Sequence, residues 1–166
     1  MSNSNSNQQL TQVPIIDVSS LRNEAKDNQE VAQKLRKACT EYGFFYISNH
    51  GISEQLQKDL ERLSHQFFQL DLEEKMQIKM ALGGKAWRGF FPVKGELTSG
   101  KPDLKEGIYF GSELGETDKR VQANWSMHGA NLFPTQIPVF RKTVLEYIKV
   151  ITEESIRLVS YYFPRH

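Results

Sequence analysis

Apolar residues recur along the chain at two different spacings, and the switch between them sketches the fold. Val13-Pro14-Ile15-Ile16-Asp17-Val18 is a short β-branched run, with Pro14 suited to a strand's first residues or an edge. From Asp27 to Tyr42 the period lengthens. Val31, Leu35, Ala38 and Tyr42 fall on one helical stripe, while Lys34, Arg36, Lys37 and Glu41 cover the other faces. Gly43 follows as a C′ residue that ends the helix. Phe44-Phe45-Tyr46-Ile47 is apolar throughout rather than alternating, the pattern of a central strand covered on both faces. Asn49-His50-Gly51 then reads as a turn.

Ser53 is placed to cap a second helix that carries Leu56, Leu60, Leu63, Phe67 and Leu70 on one stripe. A further helical stretch covers Leu72 to Met80. From Gly83 to Gly115 the chain becomes rich in glycine, and two aromatic runs stand out: Trp87 to Pro92 and Gly107 to Gly111. They read as two short strands joined by a mobile loop around Lys94 to Asp103. A long helix is predicted to begin near Pro138, which fits its first helical position. Phe140, Val144, Tyr147, Ile148, Ile151, Leu158, Val159 and Tyr162 form its stripe. Such a stripe needs a sheet or another helix to cover it, and the predicted strands are few and short. The pattern is that of half a fold. Residues 1–12 are nearly all Ser, Asn and Gln, which predicts a disordered tail ahead of a domain spanning 13–166.

Composition narrows the function classes. The 166 residues carry 21 basic and 20 acidic side chains, so a net charge of +1 gives no global field to attract nucleic acid or an anionic membrane. No run approaches about 18 consecutive apolar residues, and the N-terminus has neither the basic start nor the apolar core of a signal peptide. A cytoplasmic location is the expectation. Cys39 is the only cysteine; it falls on an apolar stripe and reads as a buried thiol, with no intrachain disulfide and no thiolate zinc site available.

Several segments together resemble the N-terminal region of the isopenicillin N synthase-like oxygenases, a family of Fe(II)/2-oxoglutarate-dependent dioxygenases. They are Val13 to Asp17; Gly43 to Gly51; Trp87-Arg88-Gly89-Phe90; Asp103 to Gly111; and His128 to Pro134 before the long helix. The resemblance implies an α/β (α+β) arrangement: the N-terminal helices and strands of a double-stranded β-helix, or jelly roll, with the catalytic C-terminal half missing. It also implies Fe(II) held by two histidines and a carboxylate, with open positions for 2-oxoglutarate and dioxygen.

The histidines test that implication. His50 precedes Gly51-Ile52, His65 precedes Gln66-Phe67, His128 precedes Gly129-Ala130, and His166 ends the sequence. None forms the His-x-Asp or His-x-Glu pair of the family. His50 reads as a turn residue, His65 as a helix residue at the core edge, and His128 as a loop residue. The expectation is therefore a chain that is not itself catalytic and binds neither Fe(II) nor 2-oxoglutarate alone.

The resemblance places Arg88 near a substrate carboxylate, which a guanidinium can grip with two parallel hydrogen bonds. A surface salt bridge or a cation–π contact with Trp87 is the alternative. It also places Tyr109 at the mouth of the active site and Phe91 in the same wall. Two function classes follow. One is the N-terminal part of an oxygenase acting on a small molecule; the alternative is a non-catalytic interaction module, self-associating through exposed apolar surface.

Overall fold

The structure, a computed structural model, describes residues 12–22 and 28–162. The expected tail lies outside these residues apart from Gln12, as do the predicted helix start at Asp27 and His166. The described residues form two compact units, one of 12–22 and 28–51 with 152–162 and the other of 52–151.

In the first unit, β1 (Ile15–Asp17) pairs in parallel with β2 (Tyr46–Ser48), Ile15 lying opposite Tyr46 and Ile16 opposite Ile47. Asp17 ties off the strand end, because its carboxylate accepts from Ser19 N at 2.8 Å and from Asn49 Nδ2 at 2.7 Å. The predicted stripe forms α1 (Gln29–Lys37), which runs into a π-helical turn at Ala38–Tyr42 and stops at Gly43, φ +81°. Ile16, Val18, Leu21, Leu35 and Ala38 are buried together, with Val31, Phe45, Ile47, Leu158 and Tyr161 packed around them.

Side chains alternate between the faces of a strand. Ile16 and Ile47 take the core side, so Ile15 and Tyr46 are turned outward and stay 70% and 65% exposed, with Phe44 at 64%. The strand predicted over Phe44 to Ile47 with cover on both faces is thus shorter, starts two residues later at Tyr46, and is covered on one face.

The second unit begins with α2 (Glu54–Phe68), and Ser53 caps it as predicted by accepting from Leu56 N at 3.3 Å. Next comes α3 (Leu72–Met76), opened by a capping box between Asp71 and Glu74. A 3₁₀ stretch at Met80–Ala86 leads to the two aromatic strands. There β3 (Gly89–Phe91) pairs antiparallel with β6 (Gly107–Tyr109), and Phe90 faces Ile108. The loop between them, predicted without structure, carries a small hairpin of β4 (Leu97–Thr98) and β5 (Lys101–Pro102). A single turn, α4 (Lys119–Gln122), precedes α5 (Pro138–Tyr162), which starts at the predicted proline. The core gathers Leu63, Phe67, Ile78, Phe90, Ile137, Phe140 and Val144. Phe67 is wholly buried, with its ring 5.9 Å from Phe90 and 6.0 Å from Phe140. Among the described residues no helix is long and apolar enough to cross a membrane.

Candidate functional site

Antiparallel pairing of β3 with β6 sets Phe91 over Gly107, where a Cβ would run into the Phe91 ring. That absent side chain lets Phe91 lie flat on the neighbouring strand and sink to 6% exposure. Tyr109, two residues along β6, packs against it with ring centroids 5.1 Å apart. The Tyr109 hydroxyl donates to the Glu96 carboxylate, 2.9 and 3.0 Å from its two oxygens. This hydrogen bond holds the phenol pKa above its ordinary value. Lys105 bridges Asp103 at 3.2 Å and Glu96 at 3.6 Å, and its ammonium stands 6.0 Å from the centre of the Phe91 ring. The Asp103 carboxyl is lowered by the Thr98 and Lys105 side chains, and Lys105 is raised in return by Asp103.

Arg88 points elsewhere. It is 7% exposed, packs its guanidinium against the bare Cα of Gly111, and donates through Nη2 to Met127 O at 3.1 Å. Nη1 lies 3.5 Å from Trp87 O, and the buried Nε has no hydrogen-bond partner. Neither surface role weighed for it in the sequence describes this environment, which is a buried cation facing backbone carbonyls. Burial pushes its pKa down, and the charge of Glu113 pushes it back up; arginine stays protonated under either influence. The preceding Trp87 adopts a left-handed backbone, φ +57°, unusual for so large a side chain, and is 53% exposed.

Beside Arg88 lies a network that local sequence gives no sign of. Asn131 donates to Gly111 O at 2.8 Å and accepts from Gly111 N at 2.8 Å, locking β6's continuation to the loop before α5. The Glu113 carboxylate accepts from Asn131 N at 2.9 Å, Asn131 Nδ2 at 2.6 Å and Arg141 Nη2 at 2.7 Å. Burial pushes the Glu113 carboxyl up, but these donors outweigh it and leave the pKa below the ordinary value. The sequence traces of this cluster are Asn131, inside the His128 to Pro134 segment, and Gly111, at the end of the Asp103 to Gly111 segment.

Thus Phe91 and Tyr109 are brought together, and Arg88 is turned toward Met127 and Gly111. The described histidines are spread through the chain: His50 follows β2, His65 is exposed on α2, and His128 sits in the loop before α5 with Nδ1 2.8 Å from Ser126 O. Among the described residues no three His, Cys, Asp or Glu side chains converge where a metal ion could sit. The donors present therefore do not fit a facial Fe(II) site.

A family model described as non-haem dioxygenase in morphine synthesis N-terminal matches residues 13–136. A Dictyostelium discoideum protein described as an iron/ascorbate oxidoreductase is 44% identical over 154 residues, covering 87% of this chain and 42% of its own. The 1-aminocyclopropane-1-carboxylate oxidase of the same organism is 39% identical over 158 residues, 91% of this chain and 41% of its own. In structure, a 2OG-Fe(II) oxygenase family protein from Caulobacter crescentus superposes with a TM-score of 0.74 at 24% identity, over 90% of this chain and 47% of that one. The last likeness shows the fold. The chain spans less than half the length of these relatives.

Proposed function

Because the chain belongs to the non-haem dioxygenase N-terminal family, we propose that it forms the N-terminal part of a non-haem iron, 2-oxoglutarate-dependent oxygenase acting on a small molecule. In this reading the chain by itself does not turn over. The observation that carries the second point is the lack, among the described residues, of three converging metal-ligating side chains. An Fe(II) centre that activates dioxygen needs two imidazoles and a carboxylate on one face, and Phe91, Tyr109 and Arg88 supply none of them. Phe91 and Tyr109, packed ring to ring, form the aromatic face this reading assigns to the substrate side. Arg88, buried and donating to Met127 O, stands apart from that face, and a substrate carboxylate would have to displace this contact to reach it. Purified chain incubated with Fe(II), ascorbate and labelled 2-oxoglutarate is expected to release no CO₂ above a metal-free control. Robust release, or one tightly held iron per chain, would overturn this reading.

A second reading is favoured by one feature, the outward face of the β1–β2 pair with Ile15, Phe44 and Tyr46 exposed. Parallel strands are ordinarily covered on both sides, so this face suits an interaction module that associates with a second copy. Light scattering over a range of concentrations would then show dimers, and Ile15→Thr with Tyr46→Thr would return them to monomers. A monomer at every concentration counts against it.

A further inference from the structure

The segment from Lys94 to Asp103 closes on itself. Lys94 N donates to Asp103 O at 2.8 Å, Asp103 N to Glu96 O at 2.9 Å, and Gly95 N to Pro92 O at 2.7 Å. Leu97 pairs with Pro102 and Thr98 with Lys101, and the turn between them uses left-handed Ser99 and Gly100, φ +52° and +77°. That is the geometry a two-residue hairpin turn requires. Yet the hairpin brings nothing to the core. No residue from Lys94 to Pro102 is buried, and Leu97 near the tip is 68% exposed. An isolated two-stranded hairpin is marginal in water, so what fixes this one must come from its base.

The base is polar. Glu96 accepts from Tyr109, and Lys105 joins Glu96 to Asp103. Two of these groups flank Phe91: Tyr109 packs on its ring and the Lys105 ammonium stands 6.0 Å from the ring centre. A segment held by a few partly exposed polar contacts, and by no buried apolar side chain, opens far more readily than the core beneath it. We propose that the Lys94–Asp103 hairpin is a hinged strap, latched by Tyr109 and Lys105 against the Phe91–Tyr109 face, and that releasing the latch uncovers this face. The hinges are the chain at its base, Pro92–Val93 on one side and Leu104 on the other. Tyr109 is then a positioning residue, and its hydroxyl is engaged by Glu96 while the strap is shut.

What the opening admits rests on the reading of Phe91 and Tyr109 as substrate-facing; the opening itself does not. Hydrogen exchange of the whole chain, without substrate, separates the two. Tyr109→Phe keeps the ring packing and removes only the latch hydrogen bond. It is expected to speed amide exchange in residues 94–103 about tenfold, roughly what one lost hydrogen bond yields, while α2 exchanges as before. Lys105→Met is expected to act in the same segment. Unchanged exchange in both variants would overturn the strap. So would faster exchange throughout residues 52–151, because Tyr109 would then be supporting the core. If the exchange result stands and substrate recognition by Phe91 later fails, only the functional reading falls.

Discussion

Arg88 is held by shape as much as by hydrogen bonds, since its guanidinium occupies the space a side chain at Gly111 would need. Gly111→Ala is therefore expected to cost about 1–3 kcal/mol through overpacking, and Arg88→Ala a similar amount through lost packing and the freed Met127 carbonyl. The two lesions strike one contact. The double variant should be more stable than the summed single losses suggest, by about 1 kcal/mol or more in urea unfolding; strict additivity would show that Gly111 is not there for Arg88. Glu113 makes a different case, one of pH. Its pKa is lowered on folding, so its contribution is present above the unfolded value, near 4.3 for glutamate. That contribution is lost as pH falls through the folded value. Glu113→Gln should flatten the acid side of the stability curve below about pH 4.5; an unchanged curve would place the acid sensitivity elsewhere.

At the scale of elements, what the sequence showed was what each segment settles locally. Ser53 and Gly43 mark helix ends through bonds within a few residues of themselves, Pro138 through its fixed φ and missing N–H, and all three stand where expected. The β4–β5 hairpin escaped notice because its strands are two residues each and its side chains are mostly polar, leaving no periodicity to read. Arg88 was singled out as a candidate partner for a substrate carboxylate, and its environment depends on Met127, 39 residues away, and Gly111. No spacing rule reaches that far. Lys75 was missed for the same reason. It lies on α3, is 6% exposed, and its ammonium reaches the Glu106 carboxylate beside β6 at 3.0 and 3.1 Å, Phe68 O at 3.2 Å, and stands 5.5 Å from the Phe90 ring centre. Breaking a fully buried pair costs about 3–5 kcal/mol. Glu106 keeps some water, so Lys75→Met should cost about 2 kcal/mol. Adding Glu106→Leu should recover part of the loss, and a double variant worse than Lys75→Met alone would contradict this account.

For the molecule as a whole, the sequence showed a long apolar helical stripe with only few and short strands to cover it. The continuous apolar run at Phe44 to Ile47 asks for cover on both sides, and one side is bare. A pattern records what a segment requires and cannot name the residues that meet the requirement, so the bare face was expected to be inside. The three histidines that the structure describes follow the same logic. Their sequence neighbours excluded the family's ligand pair, while the lack of any three converging His, Cys, Asp or Glu side chains among the described residues could only be seen once the fold was in hand.

Asn28 donates to the Tyr161 hydroxyl at 3.0 Å, and Leu158 and Tyr161 pack on the cluster formed by Ile16, Leu21 and Leu35. Partners separated by 133 positions cannot meet during most of synthesis. On a ribosome adding about 5–20 residues per second, α1 and both its neighbouring strands wait on the order of ten seconds for the segment that closes them. Over that interval the side of the cluster that Leu158 and Tyr161 cover stays open, whereas residues 52–151 are all made, with their own interior, before Leu158 emerges.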